Sequence, residues 1–136
     1  MIKISKSVEY SILALKHIED NEKFTTLSSR KISDDLHIPY DLLSKLLQKL
    51  VRKGIIKSQQ GKYGGYNLLI ASDRLNILQI ISALDENVQL TNCTFDTADK
   101  EDCSRIDDCC IRSPFWNLQN KINKMFESTT LKELTN

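Results

Sequence analysis

Apolar residues recur at helical spacing in several short runs along this chain. Between Ser5 and Asp20, Ile12, Leu15 and Ile18 lie three apart, with Val8 and Leu13 close by, and predict a first helix. Asp20-Asn21-Glu22-Lys23 is a polar break. Thr25 or Thr26 then offers a hydroxyl to cap a second helix reaching about Leu36, whose Ile32 and Leu36 share a face. Pro39 suits the start of a third helix over about 40–53. Its apolar stripe is Leu43, Leu46, Leu47 and Leu50, its polar face carries Tyr40, Asp41, Ser44, Lys45, Gln48 and Arg52, and Gly54 is its stop.

The period then changes. Residues 55–59 and 66–70 read as two strands joined by Gln60-Gly61-Lys62-Tyr63-Gly64-Gly65, a turn dense in glycine. Asn76 to about Asp85 is helical again, with Ile77, Ile80, Ile81 and Leu84 on one side. Residues 87–112 show no clean period and hold neither proline nor glycine, so something other than local propensity must organise them. Ser113-Pro114 predicts a new helix start, with Ser113 as cap. Phe115, Leu118, Ile122 and Met125 follow at spacings of three and four, broadened by Trp116 and Phe126. A long helix with that much apolar surface needs a partner, and a second copy of the chain is the expected one. Thr130-Leu131-Lys132-Glu133 matches a capping box opening a short last helix.

These elements predict a mainly α fold with a small β-hairpin wing: a winged helix-turn-helix over residues 1–75, then a sensor loop (87–112) and long dimerisation helix within 76–136. Three helices followed by a glycine-tipped hairpin suit double-stranded operator DNA. A helix fits the major groove, and its exposed side chains reach base edges. Here those are Tyr40, Ser44, Lys45, Gln48 and Arg52, with Lys62, Tyr63 and Gly64 at the wing. Helix starts can also present N–H groups to phosphates, which adds Lys6, Thr26 and Ser28.

Charge agrees once the chain is divided. The net charge is only +1, but residues 1–62 carry 12 Lys/Arg against 7 Asp/Glu and residues 63–136 carry 7 against 11. The basic first half suits a polyanion. No stretch approaches the apolar length of a membrane span, and the opening residues lack a signal-peptide pattern, so the expectation is a cytoplasmic protein. With two histidines, His17 and His37, and no phosphate-cradling glycine loop, an enzyme is disfavoured.

The order of these segments resembles the Rrf2-type family of winged-helix regulators, which includes IscR, NsrR, RsrR and CymR. The match runs from Lys3-Ile4-Ser5-Lys6 through the Gly61-Lys62-Tyr63-Gly64-Gly65-Tyr66 wing and Ile80-Ile81-Ser82-Ala83-Leu84-Asp85 to Thr130-Leu131-Lys132-Glu133-Leu134. The resemblance implies a homodimer formed through the last long helix, operator binding and, in some members, control by an iron–sulfur centre. Many members carry Arg at the position of Gln60, so minor-groove readout by the wing is weakened here.

All four cysteines, Cys93, Cys103, Cys109 and Cys110, fall in one 18-residue window. In a reducing compartment such clustering points to metal or redox chemistry. The spacing is not that of ferredoxins and resembles the three-cysteine loop of cluster-bearing regulators. Counting back from Trp116, Cys110 falls at the third position and Cys109 is extra, while Ser113 stands where IscR has a histidine ligand. The resemblance offers Glu9 and His37, reaching across a dimer, as further ligands. Having both points to a 2Fe–2S centre, and three or four cysteines leave 4Fe–4S open. A zinc site, a thiol switch and a cluster-free regulator are the alternatives.

Overall fold

The computed structural model describes residues 2–94 and 98–135; residues 95–97 of the expected sensor loop lie outside the described part. Helix α1 spans Lys6–Asn21, α2 Ser29–Leu36 and α3 Tyr40–Arg52. Strands β1 (Ile56–Gln59) and β2 (Gly65–Leu68) form the wing. Then come α4 (Ile77–Ala83), a 3-10 turn at Asn92–Thr94, α5 (Arg112–Ser128) and α6 (Leu131–Thr135).

The helix starts show how the sequence sets these bounds. The Ser5 hydroxyl accepts the Val8 N–H at 3.2 Å and caps the start of α1. Ser28, not Thr25 or Thr26, caps α2 by accepting the Lys31 N–H at 3.1 Å. Thr26 is occupied elsewhere: its hydroxyl donates to the Tyr63 carbonyl at 2.6 Å and ties the wing to the helix-turn-helix. The α1 stripe is also rotated from the expected one. Val8, Ser11, Ala14, Leu15 and Ile18 are buried, Ile12 is half-buried, and Leu13 is exposed. A stripe built from the larger side chains alone passes over Ser11 and Ala14, which are small enough to let neighbouring elements approach closely.

The expected α3 stripe, Leu43, Leu46, Leu47 and Leu50, is the buried one. Gly54, at φ +73°, adopts the left-handed conformation that ends the helix. The hairpin is antiparallel, pairing Ile56 with Leu68 and Gln59 with Gly65. The Tyr66 N–H donates to the Leu27 carbonyl at 3.1 Å, so the wing is anchored along a second edge. A side chain on Gly65 would place its Cβ 2.6 Å from that Leu27 oxygen, and only glycine permits this approach.

Among the described residues a hydrophobic core runs across residue 75. It joins Leu15, Ile32, Leu43, Leu47 and Ile56 to Leu75, Ile80, Leu84 and Leu131. The Leu131 N–H donates to the Leu75 carbonyl at 2.7 Å, which draws α6 back onto the first helices. The reciprocal Asn76–Gln79 hydrogen bonds, 2.8 and 2.9 Å, start α4, and the expected Thr130–Glu133 box starts α6. Helix α5 begins at Arg112, before the expected Ser113 cap, because the turn preceding it already feeds into it: the Arg112 N–H donates to Cys109 and Phe115 to Ile111. Pro114 then sits in the first turn, where its missing N–H costs nothing.

Candidate DNA interface and cysteine cavity

The α3 face expected to meet DNA is free. Lys45, Gln48 and Arg52 are exposed, and Tyr40 and Ser44 are half-buried at the same surface. The Arg30 guanidinium lies 3.9 Å from the centre of the Tyr40 ring, holding it by a cation–π contact and adding a positive charge beside it. Arg30 carries no signal in the sequence, since only the α2–α3 crossing brings it to Tyr40. Lys49 and Lys53 join Arg52 around a cavity of about 320 Å³ with Asp85, so the cationic surface extends past the residues picked out from the helix pattern.

At the wing tip Lys62 and Tyr63 project into solvent, with Tyr63 82% exposed. Gly64 packs so tightly that a Cβ there would lie 2.3 Å from the Gln59 carbonyl. Ser28, Ser29, Gln59, Gln60 and Tyr66 face one another across a polar hollow of about 300 Å³ between α2 and the wing. Burial raises the Tyr66 phenol above its ordinary pKa, so it stays a neutral hydrogen-bonding group there. Of the residues expected at helix starts, Ser28 is spent on capping, Thr26 on the wing, and Lys6 on an ion pair with Glu9 at 2.7 Å. That pairing holds the Lys6 ammonium above its usual pKa.

The cysteines separate into two groups. Cys93, Cys103 and Cys109 line one cavity of about 300 Å³, together with Asp102, Arg105 and Phe115. Cys110 is exposed and lines none of it. All four are free thiols, and among the described residues no three Cys, His, Asp or Glu side chains are drawn close enough to ring a single ion. Glu9 and His37 do not line this cavity in their own chain. Glu9 is held by Lys6, and His37 is the left-handed residue (φ 55°) that closes α2.

Gln119, which no sequence pattern singled out, is the sole buried residue of α5. Its amide donates to the Val88 carbonyl at 2.7 Å and accepts the Leu90 N–H at 2.8 Å. It thereby clasps the segment leading to Cys93, whose sulfur lies 3.1 Å from the Thr91 hydroxyl. The apolar residues of α5 are less covered. Phe115, Trp116, Ile122 and Phe126 are half-buried, whereas Leu118 and Met125 are 46% and 64% exposed. Among the described residues no helix is long and apolar enough to cross a membrane.

Residues 4–136 match the family model Rrf2, described as an iron-dependent transcriptional regulator. A Haemophilus influenzae protein described as an HTH-type transcriptional regulator is 30% identical over 135 residues, covering 99% of this chain and 87% of that one. The regulator IscR of Xenorhabdus nematophila is 26% identical, over 98% of this chain and 79% of its own. Among solved structures, CymR, the global cysteine regulator of B. subtilis, superposes with a TM-score of 0.73 at 21% identity, covering 99% and 97% of the two chains. IscR of T. potens superposes at 0.72 and 20% identity, covering 98% and 85%. The winged-helix fold is thus shared, and the relatives are transcriptional regulators rather than enzymes. The chain belongs to the Rrf2 family and is a DNA-binding transcriptional regulator.

Proposed function

We propose that this regulator works as a homodimer whose operator affinity is set by an iron–sulfur cluster held in its cysteine cavity. The observation that carries the reading is that three thiols from separate turns of the sensor segment open on a single cavity. Three thiols in one cavity are the donor chemistry such a centre takes. When bound, the cluster would supply a redox- or nitric-oxide-sensitive link among those turns.

The chain's own residues provide the connection to DNA. At the root of the sensor segment the Lys49 ammonium donates to the Leu84 carbonyl at 3.4 Å, joining it to the reading helix. The Ser5 hydroxyl, which caps α1, also donates to the Glu86 carboxylate. Gln119 joins the same segment to α5. A rearrangement around the thiols therefore has two hydrogen-bonded routes toward α3, through Lys49 and through the start of α1, and a third to α5. The exposed Leu118 and Met125 favour a second copy against α5, and only such a copy would bring Glu9 or His37 toward the thiols. Lys45, Arg52 and Lys62 would neutralise phosphates, and Gln48 would read a base edge.

The test is protein purified without oxygen, measured for visible absorbance, iron and sulfide, and titrated with operator DNA before and after cluster removal. Matched iron and sulfide with broad charge-transfer bands, and an affinity that changes on removal, support the proposal. A colourless chain that cannot be reconstituted leaves a cluster-free regulator governed by zinc, thiol oxidation or a partner protein.

A further inference from the structure

We infer that Arg30 of α2 grips a phosphate of bound duplex DNA, and that Tyr40, the first residue of α3, is the platform that holds it there rather than a reader of bases. This rests on α3 being the helix that enters the groove, as above, and not on the cluster.

The local structure explains how the two residues meet. Ser28 caps α2 by accepting the Lys31 N–H at 3.1 Å, which fixes the turn that carries Arg30. The left-handed His37 closes α2, and the Leu43 N–H donates to the Pro39 carbonyl at 2.9 Å to start α3 at Tyr40. The crossing of the two helices then sets the Arg30 guanidinium 3.9 Å from the centre of the Tyr40 ring. Tyr40 also stands near the wing: after burial, it is the neighbour that raises the Tyr66 phenol above its ordinary pKa.

The cation is not spent within the chain. The next residue, Lys31, is paired with Asp35 at 2.8 Å, but among the described residues Arg30 forms no ion pair. Attraction to a ring face uses the charge and gives the N–H donors no oxygen. A guanidinium carries five such donors in a planar fork that matches the oxygens of a phosphate. Arg30 is exposed and Tyr40 half-buried, so the cation stands outward of its platform. Its place suits the backbone rather than the bases. When the second helix of a helix-turn-helix lies in the major groove, the first crosses the phosphates, and α2 is the first. A long side chain already resting on a ring also has less freedom left to lose on binding.

The test uses the full chain and two probes: the duplex that the parent binds tightest from a randomised pool, and a scrambled duplex of the same length. Affinities of Arg30→Gln, Tyr40→Phe, Tyr40→Leu and the double variant Arg30→Gln/Tyr40→Leu are measured over a range of salt, after far-ultraviolet spectra confirm that each is folded. Arg30→Gln should weaken both duplexes alike, by about eightfold per bound subunit at about 0.1 M salt, and should make the slope of log affinity against log salt shallower by about 0.9 per subunit, the share of one phosphate. Tyr40→Phe keeps the ring and should bind as the parent does. Tyr40→Leu should lose part of the affinity on both duplexes, and adding it to Arg30→Gln should cost nothing further. An unchanged affinity and slope in Arg30→Gln, a loss confined to the selected duplex, or full additivity of the two substitutions overturns the inference. Lys45→Gln and Gln48→Ala, measured alongside, separate the two failures. If they weaken binding and Arg30→Gln does not, only the role of Arg30 falls; if none of the three changes binding, the placement of α3 falls and this inference with it.

Discussion

Helices α1 and α5 are the two longest in the molecule, 16 and 17 residues, and are built on opposite plans. Helix α1 buries Val8, Ala14, Leu15 and Ile18 in the chain's own core. Helix α5 buries one amide, Gln119, and leaves Leu118 and Met125 in solvent. The first plan makes a helix whose position is set by the protomer alone. The second makes a helix whose polar side is occupied within the chain and whose apolar side is available to something outside it. Helix α1 is thus covered within its own chain, whereas α5 keeps part of its apolar face uncovered.

The largest effect should come from cutting the first plan. Leu15→Ala removes a fully buried side chain and should cost about 2–5 kcal/mol, read as a lower urea midpoint. Leu118→Ala at dilution should leave that midpoint nearly unchanged while weakening self-association in sedimentation. Equal destabilisation by the two would erase the contrast. Next comes Gln119→Leu, which leaves the Val88 carbonyl and Leu90 N–H without their partner at a cost of about 1–3 kcal/mol. The same change should speed alkylation of Cys93; a Cys93 as slow as in the parent would mean that the clasp does not position it. Asn76→Ala removes the cap of α4, the helix between the two plans, and should cost about 1 kcal/mol in the same unfolding assay.

The smallest expected effect is electrostatic. Asp35 accepts from Lys31 at 2.8 Å and lies 2.9 Å from the His17 ring nitrogen, and Lys31 foremost holds its carboxyl below the usual range. A carboxylate with a lowered folded-state pKa gives its stabilisation in full above the unfolded value, about 3.9, and loses it as pH falls through the folded value. Asp35→Asn should therefore be slightly destabilising at neutral pH and indistinguishable from the parent in strong acid. A difference that grows toward low pH would contradict the assigned pair.

Local signals and tertiary ones were not equally visible in the chain. The α3 stripe, the Gly54 stop and the Thr130–Glu133 box depend on residues within a turn of one another, and the pattern located them. The Ser28 cap was missed because Thr25 and Thr26 are equally good hydroxyl donors and acceptors on paper; only the nearby wing claims Thr26. Gln119 was invisible because a glutamine on a helix reads as a solvated side chain until the 88–90 segment is known to cross it. Arg30 and Lys49 acquire their roles from helix crossings, which leave no trace at fixed spacing. The difference between Cys109, which lines the cavity with Cys93 and Cys103, and the exposed Cys110 was not legible, because both are thiols one residue apart in a stretch with no regular period.

The brace between Thr26 and the wing bears on how tightly this protein can hold DNA. A hairpin hinged only at its strand ends would sample many orientations and lose that freedom on each encounter. Here one hydroxyl reaches the carbonyls of Tyr63 and Gly64 at 2.6 and 3.2 Å, and Gly65 lies against Leu27. Part of the conformational entropy of the wing is surrendered during folding, so less of the contact energy with an arriving duplex is consumed in ordering it.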